Sequence, residues 1–183
     1  MPHLARQVRG MECHVIANDP YVVPEIFSAH GVELVDFDRL ILESDYLSLH
    51  VPLTEETHHI IGAREMALMK PTSFLINTSR GGVVDQHALY YALSSGQIAG
   101  AGLDVFEDEP ILPDDGLLTP DNVILTPHVA WCSEDSKRIM ASRVVEEIAR
   151  ALRGQPARCP VMDPPLRKIS GPDGSLPQDQ GLA

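Results

Sequence analysis

The sequence predicts an α/β protein, a doubly wound parallel sheet with helices on its faces. Three features predict it. Short apolar runs alternate with helical patterns from residue 11 to 127, each run closes on polar, Gly or Pro residues, and 44% hydrophobic content over 183 residues suffices for one sizeable core.

The runs CHVIAN (13–18), VELVD (32–36), YLSLHV (46–51), SFLINT (73–78), IAGAGLDV (98–105) and NVILT (122–126) read as strands, being short, apolar and bounded by turn formers. Helices are expected near 23–30, 37–43, 64–69 and 85–95. Pro71 closes the third, and the Gly81-Gly82 turn opens towards the fourth. A last, long amphipathic helix is expected over about 133–153. Beyond Gly154 the pattern changes: from Cys159 onward the chain holds five of its 15 prolines and little periodic hydrophobicity. Residues 156–183 therefore read as a disordered tail and 1–155 as one domain without internal repeat.

Composition excludes several function classes. Formal net charge is −12 and the 14 Lys and Arg are scattered, so no footprint for nucleic acid or an anionic membrane is present. No apolar run is long enough to span a bilayer. Cys13, Cys132 and Cys159 lack metal spacing, as do the adjacent His58 and His59, so no metal is expected. The opening MPHLARQVRG lacks the apolar core of a signal peptide, which makes a reducing cytoplasm the expected location.

In an open parallel sheet, ligands bind beyond the carboxyl ends of the strands, where loops and helix N-termini converge. That edge would carry Asp19-Pro20, His50-Val51-Pro52, Asn77-Thr78-Ser79-Arg80, Asp104 and Thr126-Pro127-His128. Asp19 has the acceptors a ribose diol needs and a charge that repels a 2′-phosphate; a turn-forming Asp before Pro20 explains it equally well. Arg80, between a buried strand and two glycines, is placed to grip a carboxylate bidentately, or is an ordinary surface arginine. His128 either exchanges a proton near pH 7 or is a structural histidine. Glu109, in DVFEDEP, is one of 26 acids, but bonded to an imidazole it would orient the ring and favour its charged form. Together they make an anion grip, a proton carrier and an orienting carboxylate beside a ribose site, a set suited to hydride transfer on a hydroxy acid.

The stretches LHVPLTEETHHIIG, NTSRGGVVDQHALYYALSSGQIAGAGLDVFEDEP and NVILTPHVAW resemble, in order and spacing, consecutive signatures of the D-isomer-specific 2-hydroxyacid dehydrogenases across about residues 10–155. Phosphoglycerate dehydrogenase-like members are the nearest in flavour. The resemblance implies a Rossmann-like domain that binds NAD and serves oxidoreduction of a D-2-hydroxy acid or its 2-keto acid. It implies that Arg80 holds the substrate carboxylate and carbonyl, and that His128 and Glu109 form the catalytic acid pair. It further implies cofactor contacts from Asp19, Pro52, Thr57, Thr78, Ser79, Arg80, Asp104, His128 and Trp131, and a homodimer. With Pro20 and Tyr21 rather than a basic residue after Asp19, NAD is preferred to NADP. Ala130-Trp131-Cys132-Ser133-Glu134 also resembles the AWxSE stretch of the C-terminal-binding-protein corepressors, which implies an alternative in which NAD(H) controls assembly with protein partners.

One departure stands out. The family places a strand and a GxGxxG loop before the helix that leads to the Asp19 strand, whereas this chain begins inside that helix. The first strand, the phosphate loop and most of the substrate domain are thus expected to be missing by truncation. The strands at 13–18 and 46–51 would then flank the vacant central position of a 3-2-1-4-5-6 order, and a non-catalytic fragment or a chain completed by a partner subunit are the further alternatives.

Overall fold

The structure is a computed structural model that describes residues 2–158 and residue 160. Its elements run α1 (Pro2–Arg9), β1 (Ile16–Ala17), α2 (Pro24–Ala29), β2 (Glu33–Leu34), α3 (Phe37–Glu43), β3 (Tyr46–Leu49), α4 (Ala63–Leu68), β4 (Phe74–Asn77), a 3-10 turn (Gly81–Val83), α5 (Gln86–Ser94), β5 (Gly100–Leu103), a second 3-10 turn (Gly116–Leu118), β6 (Val123–Leu125) and α6 (Glu134–Leu152). Every expected strand and helix is present, and the strands are shorter than the apolar runs that announced them. Helix starts follow local chemistry. Pro24 begins α2, and Asp36, Asp85 and Ser133 cap α3, α5 and α6 by accepting the amides of Arg39, Ala88 and Ser136.

All strand pairs are parallel, in two sheets: β1 beside β2, and β3-β4-β5-β6. Among the described residues β1 pairs only with β2 and β3 only with β4, so the two edges expected to flank a further strand are unpaired, as are the outer edges of β2 and β6.

The register of the larger sheet decides where chemistry sits. Leu49 lies opposite Asn77, Asn77 opposite Leu103, and Leu103 opposite Leu125. The residues that follow, His50, Thr78, Asp104 and Thr126, therefore emerge at one level of one edge. Side chains alternate across the strands. Leu47, Leu49, Leu75 and Leu103 are buried with Ile41, Met66, Leu89, Leu93 and Leu117, each worth about 1.5–3 kcal/mol when fully buried. Tyr46, Phe74 and Ile124 are exposed, the two rings stacked at 5.4 Å. A smaller cluster of Ala5, Phe27 and Val32 holds α1, α2 and the β1–β2 pair together.

Helix α6 buries none of its residues, and Ile139, Met140, Val144, Val145 and Ile148 are all exposed. No helix among the described residues is long and apolar enough to cross a membrane. The expected disordered tail, apart from residues 156–158 and 160, lies outside the described residues.

Candidate active site

The site is built from buried polar groups outward. Asn77, the last residue of β4, is fully buried, and its side-chain oxygen accepts both the amide and the hydroxyl of Ser79, at 3.0 and 2.9 Å. Its Nδ2 donates to the Arg80 carbonyl at 2.9 Å. One buried amide thus shapes the 78–80 turn and leaves Thr78 and Arg80 exposed. Gly81 lets this turn lie against the chain after β5. A Cβ there would stand 1.8 Å from the Phe106 carbonyl oxygen, which no residue but glycine avoids.

That neighbouring chain presents Glu109. Its Oε2 meets His128 Nδ1 at 2.7 Å, and its Oε1 accepts the Phe106 amide at 3.0 Å. The bond to His128, then the Phe106 amide and the positive charge of Arg80, hold the Glu109 carboxyl below the usual carboxylate range. An ionised Glu109 accepts a hydrogen bond from Nδ1–H, which fixes the tautomer and leaves Nε2 without a partner among the described residues.

Asp104 supports the histidine from below. It is buried, and its carboxylate accepts the Thr126 hydroxyl and the amides of Val129 and Ala130, the latter two at 2.9 and 2.8 Å. Burial works to raise its pKa, but these donors outweigh it and keep the carboxyl below its ordinary value. His128 itself adopts φ 53°, a left-handed conformation that costs an L-residue about 1–2 kcal/mol. The Asp104 bonds on either side of it, together with Trp131 Nε1 donating to the His128 carbonyl at 3.1 Å, hold it there. Asp104 and Trp131 entered as expected cofactor contacts; the structure engages both in shaping the His128 loop.

Three of the remaining expected cofactor residues, Asp19, Pro52 and Thr57, lie on the turn after β1 and the loop after β3. Asp19 Oδ1 accepts the Tyr21 amide at 2.9 Å, so the turn-forming reading holds, and the second carboxylate oxygen has no partner among the described residues. Tyr21 donates its hydroxyl to Glu56 at 2.6 Å, which ties this turn to the loop after β3. Within that loop Thr57 donates to the Pro52 carbonyl at 2.6 Å and accepts the Thr54 amide at 2.8 Å, making it the staple of the loop, while Pro52 is exposed. Ser79 is engaged by Asn77. Among the described residues no group of three or more His, Cys, Asp or Glu is arranged to hold a metal.

The structure therefore brings Arg80, Asp104, Glu109, His128 and Trp131 into one cluster and Asp19, Pro52 and Thr57 into a second. Sequence reasoning took Asn77 as a polar strand end and missed its role, and it gave no role to Glu56. A strand-end amide three residues before an Arg-Gly-Gly turn is the signal that pointed to the former; the Tyr21–Glu56 bond spans 35 positions and had none.

Comparison with known proteins matches residues 2–130 to the NAD-binding domain of the D-isomer-specific 2-hydroxyacid dehydrogenases. A glyoxylate reductase of Korarchaeum cryptofilum is 49% identical over 152 residues, which are 83% of this chain and 46% of that protein. A D-3-phosphoglycerate dehydrogenase of Methanocaldococcus jannaschii is 43% identical over 153 residues, 83% of this chain and 29% of that protein. Among solved structures, D-lactate dehydrogenase with NAD+ from Lactobacillus jensenii superposes with a TM-score of 0.79 at 33% identity, covering 88% of this chain and 52% of that one. The chain thus spans about half the length, or less, of the relatives it matches.

Proposed function

The chain belongs to the D-isomer-specific 2-hydroxyacid dehydrogenases, as an NAD-binding domain of that family, and from this premise we propose that it serves the reversible reduction of a small 2-keto acid to its D-2-hydroxy acid. The observation that carries the reading is the 2.7 Å contact between His128 Nδ1 and Glu109, made where Arg80 also acts on the same carboxylate.

The residues present fit a dinucleotide at both ends. Asp19 keeps one carboxylate oxygen for a ribose diol, and the exposed Pro52 and Thr78 stand on the carboxyl edge of the sheet. With no basic residue beside Asp19 to balance a 2′-phosphate, NAD is the preferred form. The sequence holds no GxGxxG, so no described residue is assigned to the pyrophosphate.

NAD, when bound, supplies or accepts the hydride at the substrate C2. Arg80 grips the substrate carboxylate through two N–H donors and sets the orientation of the neighbouring carbonyl. His128 gives the Nε2 proton to the carbonyl oxygen during reduction and takes it back during oxidation. Glu109 offsets the charge of the imidazolium and keeps Nε2 pointed outward. Asp104 keeps the His128 loop in its left-handed turn.

The test is turnover of NADH with glyoxylate and other 2-keto acids by the full-length protein that contains this chain. Arg80→Ala is expected to lower kcat/KM by about 10²–10³-fold, the usual loss on removing a charge-stabilising donor. Unchanged turnover in that variant would remove Arg80 from the reaction. Absence of turnover in the wild type, with dinucleotide-dependent partner capture, would favour the corepressor-like alternative. The homodimer and the cytoplasmic location implied by the family resemblance belong to this same reading; sedimentation mass and cell fractionation test them.

A further inference from the structure

We propose that Glu107 is a positioning residue for this reaction, acting through Glu109 rather than on the substrate; the proposal rests on the function proposed above. Glu109 lies on an exposed excursion of the chain between β5 and the second 3-10 turn, a segment without regular structure. An excursion of that kind does not place a carboxylate within hydrogen-bond reach of a histidine unless it is pinned on both sides of that residue.

The pins are visible. Upstream, Glu107 Oε1 accepts the amide of Gln86, the first residue of α5, at 2.9 Å, and the Glu107 amide donates to the Gln86 side-chain oxygen at 3.0 Å. Downstream, the Gln86 Nε2 donates to Asp115 Oδ2 at 2.7 Å, and Asp115 caps the second 3-10 turn through the Leu117 amide. Gln86 therefore clasps the excursion at residues 107 and 115, with Glu109 between them.

Glu107 also reaches the cofactor-side loop. His59 Nε2, shielded from solvent and without an aligned hydrogen bond, stands 2.9 Å from the same Glu107 oxygen. His59 is held at φ 51°, its ring stacked on His58 at 3.9 Å and its amide donating to the Gly82 carbonyl at 2.9 Å. The Glu107 carboxylate thus joins the excursion that carries Glu109 to the start of α5 and to the loop after β3 that carries Pro52 and Thr57, and the His59 amide ties that loop to the glycine turn after Arg80. None of these contacts involves the substrate-facing atoms of Arg80 or His128. The network has the form of a support that keeps the acid pair and the cofactor loop in fixed relation, and misplacement of reacting groups by about 1 Å costs about 10²-fold in rate.

The experiment compares Glu107→Ala and Glu107→Gln in the full-length protein, each also made in a Glu109→Gln background. Glu107→Ala is expected to lower kcat by about 10-fold or more. Glu107→Gln, whose amide oxygen still accepts from Gln86, should restore most of it. In the Glu109→Gln background the alanine change should lower kcat no further, because the group it positions is already lost. Equal losses in both backgrounds would overturn the proposal. A second readout needs no turnover: in ¹⁵N-histidine NMR spectra the hydrogen-bonded Nδ1 proton of His128 should shift or broaden in Glu107→Ala and return in Glu107→Gln. An unchanged resonance in the alanine variant would overturn the positioning role. A resonance that responds as expected, in a protein that turns over no 2-keto acid, would sustain the positioning of the His128–Glu109 pair and overturn the proposed reaction instead.

Discussion

The carboxyl edge of the β3–β6 sheet and the end of β1 both carry candidate site residues, yet they are held in different ways. Around His128 the support is buried and redundant: Asn77 and Asp104, both nearly inaccessible, make six hydrogen bonds to the turns that bear Arg80 and His128. Around Asp19 the support lies nearer the surface: the Asx bond to Tyr21, the Tyr21 hydroxyl bond to Glu56, and the part-buried bond from Asn18 Nδ2 to the Val35 carbonyl at 2.9 Å. The contrast suits the roles proposed for the two ends: proton exchange at His128 would require placement within fractions of an ångström, whereas a carboxylate accepting from a ribose diol would tolerate adjustment.

The largest break in this pattern should come from Asp104→Ala. Two loop amides and the Thr126 hydroxyl lose their acceptor, and the left-handed His128 loses what holds it. We expect a loss of about 2–4 kcal/mol in unfolding free energy, read from denaturant midpoints at constant m-value, and about 10²-fold in kcat. Asp104→Asn, which keeps one acceptor oxygen, should lie between. A variant that kept wild-type turnover would show that the His128 loop is set by something other than this carboxylate.

Next in size is Gly81→Ala. Its Cβ meets the Phe106 backbone at 1.8 Å, a contact that only a shift of one segment relieves, so a loss of about 1–3 kcal/mol is expected. Because the shifted segments are those of Arg80 and Glu109, activity should fall more than melting temperature alone would suggest. Gly96→Ala, where nothing lies within 4 Å but φ is +69°, is the control for backbone strain without such a clash.

These two positions also mark where sequence reasoning stops. The six strands were legible because alternation and punctuation are local, and Arg80 and His128 could be singled out because each sits just past a strand whose end could be read; Glu109, six positions beyond β5, was singled out by what a carboxylate does for an imidazole and by the family resemblance. The extent of β1 was not: the run 13–18 is apolar enough for six strand residues, but ladder length depends on neighbours in space and only Ile16 and Ala17 are paired. Nor was the work of Asp104, whose partners lie 22 to 26 positions along the chain, or the contact that makes Gly81 obligatory. A strand-end aspartate looks the same whether it faces a ligand or a loop. The family resemblance supplied the first answer, and the geometry supplies the second.

Asp19→Ala should sharpen the comparison from the other side. It removes one exposed-turn bond and the proposed ribose acceptor, so NADH affinity is expected to fall about 10-fold, or about 1.4 kcal/mol, while stability changes by no more than about 0.5 kcal/mol. Fluorescence titration of NADH and a thermal melt on the same sample check both halves. A melt displaced as far as that of Asp104→Ala would mean that the two ends are supported alike.

The smallest effect concerns pH. Glu109 is held below its ordinary range in the folded protein, first by the bond to His128, so folding favours its ionised form. Its contribution to stability is therefore complete above the unfolded value of about 4.3 and is lost as pH falls from there through the lower folded value. Both partners are more than a third exposed, at 36% and 42%, so solvent screens the pair and the change is modest. Thermal melts of the wild type and Glu109→Gln between pH 5 and pH 3 isolate it. The wild-type advantage should shrink as the pH drops across that range, because the carboxylate that accepts Nδ1–H is being protonated. An advantage that grew instead would mean that folding favours the neutral acid, and Glu109 would then act as a proton donor to the imidazole rather than as the charge that orients it.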